Sequence, residues 1–586
     1  MPSEAEVPIR STVDRVLAAV AEAAGAEQKK YLTRWPAIAP YSPTETSSPA
    51  NAELVIVSSL AEGADRIVAD SGRTAGFALE AVLPFSRIEY ANDFATPESK
   101  AAFEGHLTHS IAVFELDGKP DMRPRAYEKA GAVMLANIDL LITIWNGGEA
   151  DGIGGTAHMV SQAIADGIPV VWINPAEPDL LQISLSRRGG VPPTHANTHI
   201  RDFFHRADAA TVGKCMTEML QPPVRAETEH PLKWLPNIKP PLDIFLAEHE
   251  RRWNFCLWYP LLLRAFAGRK FRWSDIHLPP AFDESRATWQ KHYFNVLPRD
   301  DAQQPVIEAI LLPAFTIADR LAVFYALVYR SAYVFNFLFA AIASAIAVID
   351  ILFHGDSFLV LAELIVIVLI LATWGFGTMR QWHRRWLEYR RLAECLRHMR
   401  ILAPVGSGGS TSHQGIDAND QDWVTWYASS VRRLLPLPNR VVDEAYVAAV
   451  RDAVRSAEIA EQCEYHTSNI QRMSRLNKNI ETVGALLFAL TLVTCLILYV
   501  YPPEGVITRL IAGLTALLPT AGAALGAIHV QGDFKTAAEQ SRRTEKQLAT
   551  IDEYLKNEPL DFGRVTDRIE HASRVMMADL RDWQTV

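Results

Sequence analysis

Two textures of hydrophobic pattern divide the chain. In residues 51–175 short apolar runs alternate with longer amphipathic stretches. Residues 54–58, 78–85, 111–116, 139–145 and 169–173 read as strands, and 61–75, 97–109, 127–137 and 156–166 as the helices between them. Apolar strands separated by helices predict a parallel sheet covered on both faces, that is, an α/β Rossmann-like doubly wound domain over 51–220. Ligands of such sheets sit beyond the carboxyl ends of the strands. Within the leader, 1–50, the run 13–26 carries Asp14, Arg15 and Glu22 inside its apolar pattern, which predicts an amphipathic helix and no signal peptide.

Beyond residue 300 the periodicity gives way to long apolar runs. Residues 331–349, 482–501 and 510–528 hold no charge, and Ser357–Met379 holds only Glu363. A bilayer core takes about 20 such residues, so these predict an all-α membrane region of four transmembrane helices in two hairpins, one within 301–400 and one within 481–586. The hairpin turns, 350–356 and 502–509, contain one basic residue between them. The opposite ends carry Arg320, Arg330, Arg380, Arg384, Arg385, Arg472, Arg475, Lys478, Lys535, Arg542 and Arg543. That asymmetry places both termini and the helical region 401–480 in the cytoplasm, as in a multi-pass protein of the inner membrane. Gly522 and Gly526 form a GxxxG that allows close helix approach, and Pro519 loosens or kinks the same span. For Glu363 two readings stay open: it faces a bundle interior, pore or partner, or it sits shallow near the headgroups.

The flanking segments have their own patterns. The stretch 378–400 holds seven arginines, two glutamates and the aromatics Trp382, Trp386 and Tyr389, which reads as a juxtamembrane helix meeting anionic lipid. Residues 441–483 read as one long helix entering the third span, and 404–421 as a polar loop. Within 221–300, residues 221–242 are a proline-rich linker, while 245–266 mixes aromatics with arginines, suiting a membrane surface, a docking segment or plain core.

Composition narrows the functional classes. A net charge of −10 argues against a nucleic-acid partner, and five scattered cysteines give neither a zinc ribbon nor a disulfide framework. No GxSxG, HExxH or Walker A run occurs. His195, His199 and His205 follow a proline pair and read as loop residues, so no metal site is assigned.

Two strand-to-helix junctions carry the candidate chemistry. In VIVSSLAEGADRIVAD the strand ends at Ser58–Ser59 and a helix begins near Gly63, with Asp65 and Arg66 in its first turn. In LLITIWNGGEADGIGGTAHMVSQA, Gly147, Gly148, Gly154, Gly155 and Thr156 lie between strand and helix. Glycines allow positive φ and close backbone approach, and helix starts offer free N–H groups to a phosphate. Together the two turns predict a nucleotide-sized, anion-friendly cleft.

The runs SSLAEGADRIVAD, LPFSRIEYANDF, DLLITIWNGGEADGIGGTAHMV and AIADGIPVVWI resemble the SLOG superfamily, which joins the Smf/DprA proteins to the LOG nucleotide-binding and phosphoribohydrolase proteins and includes sensor domains of prokaryotic conflict systems. The likeness covers about residues 50–180. The membrane half resembles, by its architecture, the SLATT class of two-helix effectors associated with SLOG domains, with the two-helix unit occurring twice. The resemblance implies a ligand of the nucleotide, cyclic nucleotide or ADP-ribose type and a membrane-disrupting or pore-forming effector; four spans enclose little space, so a pore implies a homo-oligomer. LOG enzymes carry PGGxGTxxE, whereas the matching run here is Gly154–Gly155–Thr156–Ala157–His158–Met159, without the acid. The missing glutamate favours binding over catalysis, with no catalytic residue and no required cofactor. Two alternatives remain open: a membrane-anchored nucleotide hydrolase using Asp65, Glu149 or Asp151, and a nucleotide-regulated transporter or channel.

Overall fold

The computed structural model describes residues 3–34, 54–148, 153–185, 199–223, 239–251, 253–278, 281–353, 357–408, 422–500 and 505–584. Glu149, Asp151, His195, most of the proline-rich linker, most of the polar loop and parts of both hairpin turns lie outside them.

The N-terminal part is an α/β region. Helix α1 (Ser3–Arg34) is followed by β1 (Val55–Ser58), α2 (Ala64–Thr74), β2 (Ala78–Leu83), the short α3 (Arg87–Tyr90), α4 (Pro97–His109), β3 (Ala112–Glu115), α5 (Arg123–Asn137), β4 (Leu141–Ile144), α6 (Thr156–Ala165), β5 (Val170–Asn174), β6 (Glu177–Ser184), β7 (His205–Arg206) and α7 (Ala209–Leu220). Local chemistry sets several of these boundaries. Pro97 opens α4, where its missing N–H costs nothing, and the Thr96 hydroxyl accepts from Ser99 N at 3.1 Å. Asp208 caps α7 in the same way through Thr211 N.

Strand pairing departs from the single parallel sheet that the pattern predicts. One ladder, ordered β1-β2-β3-β8 with β8 the distant two-residue strand Arg440–Val441, is parallel throughout; a second, β4-β5-β6-β7, is parallel only between β4 and β5. β6 and β7 run antiparallel. The reason is local: only Pro175 and Ala176 separate β5 from β6, enough for a hairpin and far too few for a crossover helix. Helix α1 covers this second sheet, burying Ile9, Val13, Val16 and Leu17 against Val171, Ile173, Ile183 and the α7 residues Val212 and Met216.

The helical part comprises α8 (Pro241–Leu246), α9 (Trp258–Ala267), α10 (Ala281–Trp289), α11 (Gln303–Val306), α12 (Leu312–Phe353), α13 (Ser357–Met379), α14 (Trp382–Leu402), α15 (Trp423–Arg432), the two-residue strand β8 (Arg440–Val441), α16 (Glu444–Val454), α17 (Ala460–Val500), α18 (Val506–Gly532), α19 (Phe534–Asn557) and α20 (Phe562–Gln584). Four helical stretches, containing α12, α13, α17 and α18, are long and apolar enough to cross a membrane. The chain runs as continuous helix from Glu444 to Val500, through a π-turn at Arg455–Ile459. α12 packs on α13, and α17 on α18, as two hairpins; α12 also packs on α18 and joins them. There a Cβ on Gly513 would lie 2.7 Å from Leu352, and one on Gly522 2.9 Å from Phe488, whereas Gly526 faces open space. The GxxxG pair is therefore divided, with only Gly522 in a close contact. α18 continues as helix through Pro519. Glu363 is half-exposed on α13, a helix with no buried residue.

The two parts share one core. β8, drawn from the stretch between the hairpins, pairs with β3 through Phe114↔Arg440 and Glu115↔Val441. Asn439 accepts from Val113 N at 3.0 Å, and Glu80 accepts from Leu437 N at 3.2 Å. Val82, Phe114 and Val133 pack in the same cluster as Ile401, Tyr446, Leu548 and Phe562, and the Phe114 and Phe562 rings meet edge-on at 5.7 Å. The aromatic segment resolves as docking and core: α9 buries Tyr259, Leu262 and Leu263 against α12 and α17, and its Tyr259 N donates to Ser331 Oγ at 3.2 Å.

The basic helix α14 also differs from its lipid-facing reading. Tyr389 is buried, and Arg385, Arg390, Arg397 and Arg400 turn inward onto carboxylates. Arg400 pairs with Glu458 in the π-turn before α17, and Arg397 reaches both Glu394 (Nε at 2.8 Å) and Glu458 (3.5 Å). Burial alone would raise the Glu394 carboxyl, but Arg390, Arg397 and His398 outweigh it and hold it at about 2. Burial, with Arg397 beside it, drives His398 down to about 3, so it is neutral at pH 7. Removing one member of a buried pair strands the other charge. Glu458→Gln is expected to destabilise the protein by about 3–5 kcal/mol, read by denaturant unfolding in detergent; a cost under about 1 kcal/mol, the range of exposed pairs, would remove this network from the account. A fragment ending at Pro222 lacks β8 and the helices covering Phe114, so it should melt without cooperativity or aggregate. Cooperative melting at the full-length temperature would contradict the shared core.

Candidate ligand-binding site

At the first junction β1 ends on Ser58 and the chain turns sharply. Leu60 is fully buried at φ +58°, a conformation that a leucine adopts only when its surroundings hold it there. The holding groups are those singled out from the sequence. Ser58 Oγ accepts from Leu60 N at 3.0 Å, and the Asp65 carboxylate accepts from Ala61 N at 3.2 Å. Arg66 donates from Nε to Leu60 O at 3.1 Å and from Nη1 to Ser99 O and Oγ at 2.9 and 2.8 Å, with its guanidinium over the Phe94 ring at 4.3 Å. Only its Nη2 lacks a partner among the described residues. Asp65 and Arg66 thus hold the turn, and one donor remains over. Ser59 points to the Met134 sulfur on α5, at 3.5 Å.

The second junction follows β4. Gly147 (φ +78°) and Gly154 (φ +87°) take backbone conformations that favour glycine. Gly148 N donates to Asn146 Oδ1 at 2.9 Å, closing a local turn. A Cβ on Gly154 would meet Pro124 O at 2.7 Å and Tyr127 Cβ at 3.0 Å, so this turn leans on the start of α5. Helix α6 starts with Gly155 at its cap position and no side-chain cap; Thr156 is its first residue and is exposed. A Cβ on Gly155 would meet nothing within 4 Å. His158 Nδ1 accepts from Gly154 N at 3.2 Å, and among the described residues no side chain caps the first turn of α6. Such a start, with its helix dipole, favours an anion.

Both junctions therefore border α5, the first at Met134 and the second at Tyr127, seven residues or about 10 Å apart along the helix. Two further groups close the region. Arg201, in the turn Ile200–Phe203, donates from Nε to Gly147 O at 2.6 Å and lies where a Gly147 side chain would be. At the start of α5, Arg123 pairs with Asp93 and reaches Glu89 at 3.2 Å, and Tyr127 donates to Asp93 at 2.6 Å. Burial, followed by Asp93, pushes the Tyr127 hydroxyl up to about 12. Sequence reasoning missed Arg201 because it lies more than fifty residues past Gly147; the segment holding it had drawn notice only for its histidines. Of these, His199 N donates to Asp202 in a capping turn and His205 is exposed in β7. Among the described residues no three metal-ligating side chains converge.

Compared with known protein families, with curated proteins and with solved structures, the chain matches none of them.

Asp65 offers a test of whether the first turn is built for stability alone. Desolvation raises its carboxyl, and the Ala61 N–H and Ser58 hydroxyl only partly oppose this. A folded pKa above the unfolded value of about 3.9 means that the folded state holds the proton more tightly. Stability then falls as pH rises from the unfolded value through the folded one and is level above it. Asp65→Asn should melt at the wild-type temperature near pH 4 and at or above it at pH 7. A lower melting temperature at pH 7 would show that the ionised carboxylate's two hydrogen bonds outweigh its desolvation.

Proposed function

We propose that this is a multi-pass membrane protein whose cytoplasmic α/β domain binds a nucleotide-type ligand at the start of α6 and thereby controls the four-span region. The observation that carries the reading is the open, glycine-framed N-terminus of α6 on a domain that shares its core with helices entering the spans. In this reading β1 lies beside β4, which would complete a doubly wound, Rossmann-like arrangement with the two junctions flanking its switch point. The common packing of Ile56, Ile67, Ile142 and Ile144 supports that placement. The SLOG-like runs fit the same reading, and the ligand class follows from them: a nucleotide, cyclic nucleotide or ADP-ribose derivative. The basic ends of the spans lie on the side of the α/β domain, and the positive-inside rule puts that side in the cytoplasm.

A hydrolytic role is the weaker reading. Asp65, the one candidate acid within the described residues, has its carboxylate engaged in holding the turn. The bilayer region would act as an effector, a pore or a disruptor of the membrane, assembled from several copies.

The test uses the full chain in detergent against a panel of nucleotides, cyclic oligonucleotides and ADP-ribose derivatives. A ligand at 100 times its Kd should stabilise the fold by about 2.7 kcal/mol. Gly155→Asp and Thr156→Arg, which place a carboxylate or a bulky chain at the mouth of α6, should lose that shift while melting normally without ligand. The active compound should then change dye leakage from liposomes carrying the wild type and leave those carrying the variants unchanged. A stabilising ligand indifferent to both substitutions would put its site elsewhere.

A further inference from the structure

A cavity of about 280 Å³ opens where the two hairpins meet on the side of the α/β domain, walled by α9, α12, α14, α17 and α19. Five arginines line it against two carboxylates, Glu394 and Asp533, so its charge balance turns on which arginines are already paired. Arg390 and Arg397 share Glu394, and Arg391 pairs with Asp422. Arg330 and Arg472 have no carboxylate partner among the described residues. The Arg330 guanidinium is instead held over the rings of Trp386 at 4.8 Å and Tyr259 at 5.3 Å, and Arg472 donates to the Ser468 hydroxyl at 3.3 Å. His466, 4% exposed, lines the same cavity and its Nδ1 has no partner. Tyr329 and Trp386 stack at 5.9 Å on one wall.

The buried, unpartnered imidazole nitrogen is costly to leave unmet, and the two half-exposed guanidinium groups carry charge that no carboxylate among the described residues offsets. Planar guanidinium forks match phosphate oxygens two at a time, and the stacked rings suit an organic group attached to the phosphate. We propose that this cavity is a binding site for a phosphate ester, gripped by Arg330 of the first hairpin and Arg472 of the second, with His466 as a third polar contact. Arg330 directly precedes the first apolar run, at headgroup depth if α12 crosses the bilayer, so the phosphate comes from a lipid headgroup or from a soluble ester. The site stands independently of any ligand at α6. Because its two cations lie on different hairpins, an occupant stabilises the arrangement in which the hairpin roots are close, by as much as it prefers that arrangement.

The full chain is tested in neutral detergent with pyrophosphate, and in nanodiscs of phosphatidylcholine alone or mixed with phosphatidylglycerol, by thermal unfolding. A rise in Tm with pyrophosphate identifies a soluble source, and a rise only in the phosphatidylglycerol discs a lipid one. In either case Arg472→Gln, at a half-exposed position outside the packed core, should weaken the apparent affinity by about tenfold or more, the loss expected for a charge-assisted hydrogen bond. Arg330→Lys, which keeps the charge and loses the fork, should weaken it too. Arg475→Gln, exposed on the same helix and outside the cavity, should leave it unchanged. The proposal is overturned if neither probe raises Tm, if the cavity variants retain the full shift, or if Arg475→Gln loses as much as Arg472→Gln.

Discussion

Charges taken out of water must find partners, and that requirement fixes how the two hairpins of this protein are joined. α14 continues the first hairpin and the π-turn at Arg455–Ile459 precedes the second. Between them lie Arg400, Glu394 and Glu458, all nearly inaccessible to solvent, and the partly buried Arg397. An Arg400 without Glu458 would be a buried cation over the Trp289 and Tyr293 rings, with Glu461 the carboxylate left to act on it. The pair adds little net stability over an apolar replacement; its force lies in the penalty for every arrangement that separates its members. The hairpin roots are held in one register, and the π-turn supplies the extra residue that aims Glu458 at Arg400.

That register carries the rest of the fold. With α14 and α16 fixed, residues 437–442 run along β3, where Leu437 N donates to the Glu80 carboxylate, Val113 N to Asn439 Oδ1 and Val442 N to the Glu115 carbonyl. Phe562 of α20 then closes over Phe114. A ligand that moved α5 or α6 would be moving elements one layer from helices that run into the spans. In the proposed reading, coupling would pass through these packed side chains.

The sequence made one kind of structure readable. Strand runs such as 78–85 and the helix 97–109 were legible because an apolar run bounded by a turn, or a Thr-Pro start, is settled by neighbours a few residues away. The four long apolar helices were legible because uncharged runs of about 20 residues are the pattern that a bilayer core demands. The glycines of both junctions stood out for the same local reason. What stayed hidden depended on distant partners. Arg440–Val441 has no periodicity to detect, and its pairing is decided by Glu115, more than three hundred residues earlier. The arginines of α14 look lipid-facing until Glu458 is brought beside them. Arg66 reads as a ligand contact, yet most of its hydrogen bonds serve Leu60 and Ser99, a role set by the positive φ at Leu60 that no local pattern announces.

The packing of the spans constrains what a membrane activity would require. Gly513 against Leu352 and Gly522 against Phe488 bring apolar surfaces close together at the α12–α18 and α17–α18 contacts. α13 packs on α12 and turns Phe358, Val360, Leu364, Ile365 and Val368 outward, with Glu363 half-exposed among them. In lipid an apolar face of this kind is at rest, but a carboxylate on it is not. The charge is relieved if that face meets another protein surface or a water-filled space, or if Glu363, seven residues into α13, sits at headgroup depth. If the proposed pore forms where α13 helices of several copies meet, Glu363 would stand in its lining, and the Arg400–Glu458 pair would hold the hairpin roots beneath it.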